Sequence, residues 1–208
     1  GQLWGNPLYN WDYLKNTGYK WWIDRLKDSQ KIYDVLRIDH FRGFDEYYAV
    51  PAENDTAIDG EWLKGPGMDF FEVVNKKISD IEIIAEDLGF LTDTVVKLLK
   101  DTGYPGMKIL EFAFSDKDNE FLPHNYTKNS VVYTGTHDND TVMGWFRSAK
   151  GKEKKFAKSY ACLSKKEGYN WGLIRLAYAS VSNLAIIPMH DFLGLDSDSR
   201  MNVPSTIG

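Results

Sequence analysis

The chain has 208 residues, 43% hydrophobic and 26% charged, with 30 Asp and Glu against 25 Lys and Arg for a net charge of −5. This composition belongs to a soluble globular protein long enough to bury a core, and the acidic balance, without Lys and Arg interleaved with aromatics, excludes nucleic acid as an expected partner. The lone Cys162 excludes an internal disulfide framework and a thiolate metal site, and no apolar run nears the roughly 20 residues of a bilayer span, so a cytoplasmic protein with no membrane contact is expected.

In chain order, Gly1-Gln2-Leu3-Trp4-Gly5-Asn6-Pro7-Leu8-Tyr9 reads as a loop, punctuated by Gly, Asn and Pro. A chain opening in mid-loop suggests a piece of a longer protein. Tyr19, Trp22, Ile23 and Leu26 fall at helical spacing and predict a helix packed on one face. Val35-Leu36-Arg37-Ile38-Asp39-His40-Phe41-Arg42-Gly43-Phe44 predicts a short strand that ends in charge. Alternation puts Val35, Arg37 and Asp39 on one face and Leu36 and Ile38 on the other.

Residues 45–67, rich in Gly, Pro and acids, read as loop with room for a short helix. Asp69 is the expected cap of a helix through Ile78, with Phe70, Val73, Val74 and Ile78 as its apolar stripe. A second strand is expected over 81–85, ending in Glu86-Asp87-Leu88-Gly89. Thr92 then caps a helix through Lys100, with Gly103 past its end. A third strand is expected over 107–114, then a polar loop holding Phe121-Leu122-Pro123-His124-Asn125-Tyr126. A fourth over 130–133 leads into Thr134-Gly135-Thr136-His137-Asp138-Asn139-Asp140. Helices follow from Thr141, over 152–166 with Cys162 packed on it, and over 171–182. A fifth strand over 184–187 precedes Pro188-Met189-His190-Asp191.

Short aliphatic strands alternating with helices, and no tight hairpin signal, argue an α/β fold with a parallel sheet. No phosphate-cradling glycine loop follows the first strand, whereas acids repeatedly follow strand ends, which favours part of a (β/α)8 TIM barrel over a doubly wound sheet. Five strands cannot close a barrel, so the expectation is an incomplete one.

Asp39, Glu86 and Asp138 stand at three strand ends, about one or two βα units apart. In a barrel they would converge on one mouth. Retaining glycosidases need a carboxylate nucleophile and a carboxylic acid proton donor flanking the glycosidic bond. Asp39, beside the positive charge of Arg37, suits the nucleophile, and Glu86, after an apolar strand and near other acids, suits the acid/base. Asp138, with His137, suits binding of hydroxyls and support of developing charge. The 14% aromatic content, with 7 Trp and 12 Tyr, fits a large core and also a sugar-stacking surface.

Four ordered blocks carry a specific resemblance: Gly1-Gln2-Leu3-Trp4-Gly5-Asn6-Pro7, Arg37-Ile38-Asp39-His40-Phe41-Arg42-Gly43, Ala85-Glu86-Asp87-Leu88-Gly89 and Thr134-Gly135-Thr136-His137-Asp138-Asn139-Asp140-Thr141. They resemble the 4-α-glucanotransferases called amylomaltase or disproportionating enzyme. The likeness runs through the chain, to Ser199-Arg200-Met201-Asn202-Val203-Pro204. It implies Asp39 as nucleophile, Glu86 as acid/base and Asp138 as transition-state stabiliser. Arg37, His40 and His137 fall on sugar-contacting positions, and Trp4 and Asn6 on the loop near the acceptor subsites.

The resemblance further implies that residues 1–208 are the C-terminal portion of a catalytic barrel, from the end of strand 3 through strand 8, acting on α-1,4-glucans or maltooligosaccharides. A hydrolase of the same superfamily and an inactive glucan-binding fragment stay open as alternatives. The isolated piece is expected to be inactive or nearly so, and its exposed strand edges suggest self-association. With His124, His137 and His190 in unrelated contexts, no metal and no cofactor are expected.

Overall fold

The computed structural model describes residues 3–78 and 81–206, so Gly1 and Gln2 of the opening loop lie outside the described residues. The chain divides into two compact units, one through Gly106 and one from Met107.

In the first unit, Asn10 caps helix α1 (Trp11–Asn16) by accepting the Tyr13 N–H at 3.0 Å. Helix α2 (Lys20–Gln30) starts at Tyr19, whose left-handed backbone lets its ring enter the core beside Ile23 and Leu26. Strand β1 (Val35–Ile38) follows, then strands β2 (Glu46–Ala49) and β3 (Glu61–Lys64), helix α3 (Gly67–Lys77), strand β4 (Glu82–Ala85) and helix α4 (Asp93–Thr102). Strands β1 and β4 pair in parallel, with Arg37 opposite Ile84 and Ile38 opposite Ala85. Thr92 caps α4 and Gly103 ends it at φ 72°, both as the sequence predicts.

The core under this pair is aromatic. Phe41, Phe44, Phe70 and Phe71 are buried, with Phe41 stacked on Phe71 at 5.2 Å and Phe44 on Phe70 at 5.1 Å. Leu36 and Ile38 face this core, as strand alternation requires, while Val35 on the other face is exposed.

Two expectations fail here. Residues 45–67 are not loop throughout: β2 and β3 form an antiparallel hairpin in which Tyr48 pairs with Trp62, their rings 5.2 Å apart. The aromatic pair supplies cross-strand stabilisation, but the long connection of residues 50–60 carries no short-turn signature. Gly65, which reads as punctuation, is a close approach instead, since a Cβ there would stand 2.3 Å from the Phe44 carbonyl oxygen. Nor does Asp69 cap α3. Pro66 holds the cap position, and Asp69 lies in the first turn, paired with Lys15.

The second unit carries strands β5 (Gly106–Ile109), β6 (Ser130–Tyr133) and β7 (Leu184–Ile186) in the order β5-β6-β7, with β6 and β7 parallel. Helices α5 (Val142–Ser148), α6 (Gly151–Tyr160), α7 (Tyr169–Tyr178) and α8 (Met189–Phe192) complete it. Thr141 caps α5 by accepting the Gly144 N–H at 3.0 Å.

The third strand is shorter than expected: β5 stops at Ile109 and a 3-10 segment, Leu110–Ser115, takes over. Leu110, Ala113 and Phe114 are buried at helical spacing, a pattern that a short apolar run does not separate from a strand. Helix α6 ends at Tyr160, because Cys162 adopts a left-handed φ of 51°; its thiol is exposed rather than packed. Helix α7 likewise ends at Tyr178. The fifth strand is only partly covered, with Leu184 and Ile186 exposed.

The described strands form a parallel pair, an antiparallel pair and a three-stranded sheet, a mixed α/β architecture with parallel strands and no barrel closure among the described residues. No helix among them is long and apolar enough to cross a membrane.

Candidate active site

In the first unit the β1–β4 ladder continues past the strand ends: the Glu86 N–H donates to the Ile38 carbonyl at 2.9 Å, and the Phe41 N–H to the Glu86 carbonyl at 3.0 Å. Between these bonds His40 takes a left-handed conformation (φ 50°, ψ 53°), which for a residue with a Cβ costs roughly 1–2 kcal/mol. Burial of Phe41 and Phe44 in the following 3-10 turn offsets that cost. The turn leaves Asp39 projecting outward, its side chain 76% exposed and ion-paired with Arg37.

Glu86 reaches back across the same turn. Its Oε2 accepts the His40 N–H at 2.7 Å and its Oε1 the Leu88 N–H at 2.8 Å, which fixes the carboxylate at the neighbouring strand end. The His40 imidazole is half-buried. That burial pushes its pKa below the usual histidine range, against the pull of Glu86 and Asp39 and with the help of Arg42. The Trp4 ring stands edge-on to it, with centroids 4.7 Å apart. Asn6 is exposed two residues further along that segment.

The structure therefore brings Arg37, Asp39, His40, Glu86 and Trp4 together. Arg42 belongs with them, although no spacing in the sequence points to it. It donates to Glu46 at 2.6 Å and to the Phe90 carbonyl at 2.6 Å, and its guanidinium lies 4.2 Å from the Trp62 ring centroid. It thus ties the hairpin and the loop after β4 to the end of β1. Its signal in the sequence was only its place in the block after Asp39.

In the second unit β6 delivers residues 134–140. Asn139 organises this loop, its Oδ1 accepting the Thr136 N–H and hydroxyl at 2.8 Å each, and Thr136 Oγ1 in turn accepts the Asp138 N–H at 3.3 Å. His137 Nε2 lies 3.3 Å from Asp138 Oδ2. The C-terminal segment completes the surround: Asn202 Nδ2 donates to Asp138 Oδ1 at 3.2 Å and to the His137 carbonyl at 3.0 Å, and Arg200 donates to the Asp138 carbonyl at 3.2 Å. Arg200 and Asn202 lie in the Ser199-Arg200-Met201-Asn202-Val203-Pro204 stretch, where spacing gives them no role, since they meet Asp138 from more than 60 residues away.

Beneath the loop is a polar floor. Asp191 is 1% exposed; it accepts the Thr134 hydroxyl at 2.6 Å and the Val142 N–H at 2.8 Å, and the Asn170 amide donates to its carbonyl at 2.9 Å. Burial raises its pKa against those hydrogen bonds. Glu111, 8% exposed, joins the same floor, its carboxyl pushed up to about 9 by burial and then by Asp191 and Asp140, with Arg200 pulling the other way. Among the described residues no group of three or more His, Cys, Asp and Glu side chains is arranged to hold a metal ion.

The family model described as 4-alpha-glucanotransferase, glycoside hydrolase family 77, matches residues 1–208. The chain is 56% identical over 209 residues to a 4-alpha-glucanotransferase of Clostridium butyricum, covering 100% of this chain and 43% of that protein. It is 50% identical over 210 residues to one of Streptococcus pneumoniae, covering 100% of this chain and 42% of that protein. Among solved structures, the amylomaltase from Streptococcus agalactiae in complex with acarbose superposes with a TM-score of 0.94 at 45% identity, over 100% of this chain and 42% of that one. The amylomaltase of Corynebacterium glutamicum, 18% identical, shares the fold with a TM-score of 0.80 over 35% of its length. The chain thus spans less than half the length of the relatives it matches.

Proposed function

The chain belongs to the 4-alpha-glucanotransferase family, and we propose that its protein transfers α-1,4-glucan segments to the 4-hydroxyl of an acceptor glucan or glucose with retention of configuration. In this reading residues 1–208 are the C-terminal portion of a catalytic (β/α)8 barrel, from the end of strand 3 through strand 8. Asp39 attacks the anomeric carbon and forms a glycosyl ester as the C–O bond to the leaving glucan breaks. Glu86 gives its proton to that leaving oxygen, then takes one from the acceptor 4-hydroxyl, which attacks the ester and releases Asp39. Asp138, oriented by Asn202 and His137, supports the oxocarbenium-like transition state. Arg37, His40 and His137 contact the sugar, and Trp4 and Asn6 serve the acceptor side.

The observation that carries this reading is the placing of Asp39 and Glu86 at adjacent ends of two parallel strands, with the Glu86 carboxylate bonded to the main chain of the residue after Asp39. An ion-paired, exposed carboxylate suits a nucleophile that must meet substrate, and a second carboxylate locked beside it suits proton transfer. Acarbose, which the Streptococcus agalactiae amylomaltase binds, is the expected inhibitor.

The test is product analysis with maltotriose and the full-length protein. Longer oligomers at a constant total of reducing ends are expected. Rising reducing ends would assign hydrolysis instead, and binding without turnover would leave a glucan-binding protein.

A further inference from the structure

Glu111 follows β5 and lies directly under residues 134–140. Its N–H donates to the Thr134 carbonyl at 3.1 Å, and a Cβ built on Gly135 would stand 3.0 Å from its Oε1. That glycine is therefore the gap the carboxyl fills. Glu111 Oε1 is buried with no hydrogen-bond partner, an unusual state for a carboxylate, since an ionised oxygen without a donor bears the full cost of desolvation.

The charged groups acting on it are Asp191, Asp140 and Arg200. Asp191 is committed to Thr134 and Val142, and Asp140 accepts the Thr141 N–H at 2.8 Å and the Ser197 hydroxyl at 2.9 Å. Arg200 alone is cationic, and it is already engaged with the Asp138 carbonyl. Its buried Nε, like Glu111 Oε1, has no partner.

We propose that Glu111 is a positioning residue for Asp138: an uncharged carboxyl wedged under residues 134–140, whose neutrality leaves the Arg200 guanidinium holding the Asp138 carbonyl. Ionised, Glu111 would compete for Arg200 and set a further negative charge against Asp140 and Asp191. The Asp138 loop would then lose one of its two anchors to residues 200–202, with Asn202 alone holding it. The direction in which burial shifts Glu111 agrees with this neutrality at ordinary pH. Glu111 meets the loop at Thr134 and Gly135, so it acts on Asp138 through the loop. This assignment rests on Asp138 serving glucan transfer, as argued above.

The test uses the full-length protein with maltotriose and compares Glu111→Gln with Glu111→Ala. Gln keeps a neutral group of the same shape, so kcat is expected within about twofold of wild type, while Ala empties the space under Gly135 and lowers kcat by about tenfold or more with KM nearly unchanged. Wild type is expected to carry an alkaline ionisation in kcat at about 9 that Glu111→Gln lacks. Equal loss in the two variants, full activity in Ala, or an unchanged alkaline limb in Gln would overturn the proposal. A wild type that performs no transfer would sink the functional reading instead. Glu111 is then judged by the carboxyl signal of 13C-labelled glutamate at neutral pH: protonated supports its role, ionised overturns it.

Discussion

In the first unit the acids stand on an aromatic core. Phe41, Phe44, Phe70 and Phe71 anchor the turn after β1, and Asp39 and Glu86 are held by an ion pair and main-chain N–H groups above it. In the second unit the loop carrying Asp138 rests on buried polar groups: Asp191, Thr134, Asn170 and Glu111. An apolar floor is indifferent to pH and is broken by removing volume. A polar floor depends on each hydrogen bond being made and on each acid keeping its proton state.

The largest expected effect concerns chemistry. Asp39→Asn should lower transfer on the order of 10³-fold or more while acarbose binding persists, checked by maltotriose turnover beside isothermal titration. Retained turnover would remove the first unit from the catalytic argument.

Next comes the aromatic floor. Phe41→Ala should destabilise the protein by about 3–5 kcal/mol in denaturant unfolding, equally at acid and neutral pH, because the loss is cavity and transfer energy. Asp191→Ala should cost less, about 2–3 kcal/mol, by leaving the Thr134 hydroxyl and Val142 N–H unpaired. If Asp191→Ala proved harmless, the contrast between the floors would fail.

The pH dependence sharpens the contrast further. Glu111 is raised from an ordinary value of 4.5 to about 9, so between those pH values the folded state binds more protons than the unfolded one. Stability must then fall as pH rises through that window, by up to about 1.4 kcal/mol per pH unit for this group, and level off above it. Glu111→Gln should flatten the slope, as followed by thermal unfolding across the window. Smallest of all, Cys162→Ser should change stability by about 0.5 kcal/mol or less, since the thiol is exposed.

Much of this was legible in order along the chain. The alternation in Val35-Leu36-Arg37-Ile38-Asp39 placed Arg37 with Asp39 and Ile38 toward the core, and the structure keeps both placements. Thr92 and Gly103 marked their helix ends because capping is settled by a few adjacent atoms. The hairpin β2–β3 escaped because its register depends on Tyr48 meeting Trp62 across a long connection. The run after β5 escaped because strand and 3-10 turn bury the same residues over so short a length.

The sequence by itself determined the acids and their local settings: which strand ends carry Asp39, Glu86 and Asp138, and which charged or histidine neighbours stand beside them. Those are properties of periodicity and of residues one or two positions apart. Only the tertiary structure decided what holds them. Arg42 reaching Glu46 and Phe90, Asn202 and Arg200 reaching Asp138, and Glu111 and Asp191 lying under residues 134–140 all join distant segments or depend on burial. Desolvation sets the charge of a carboxyl, and desolvation exists only once the chain has closed around it.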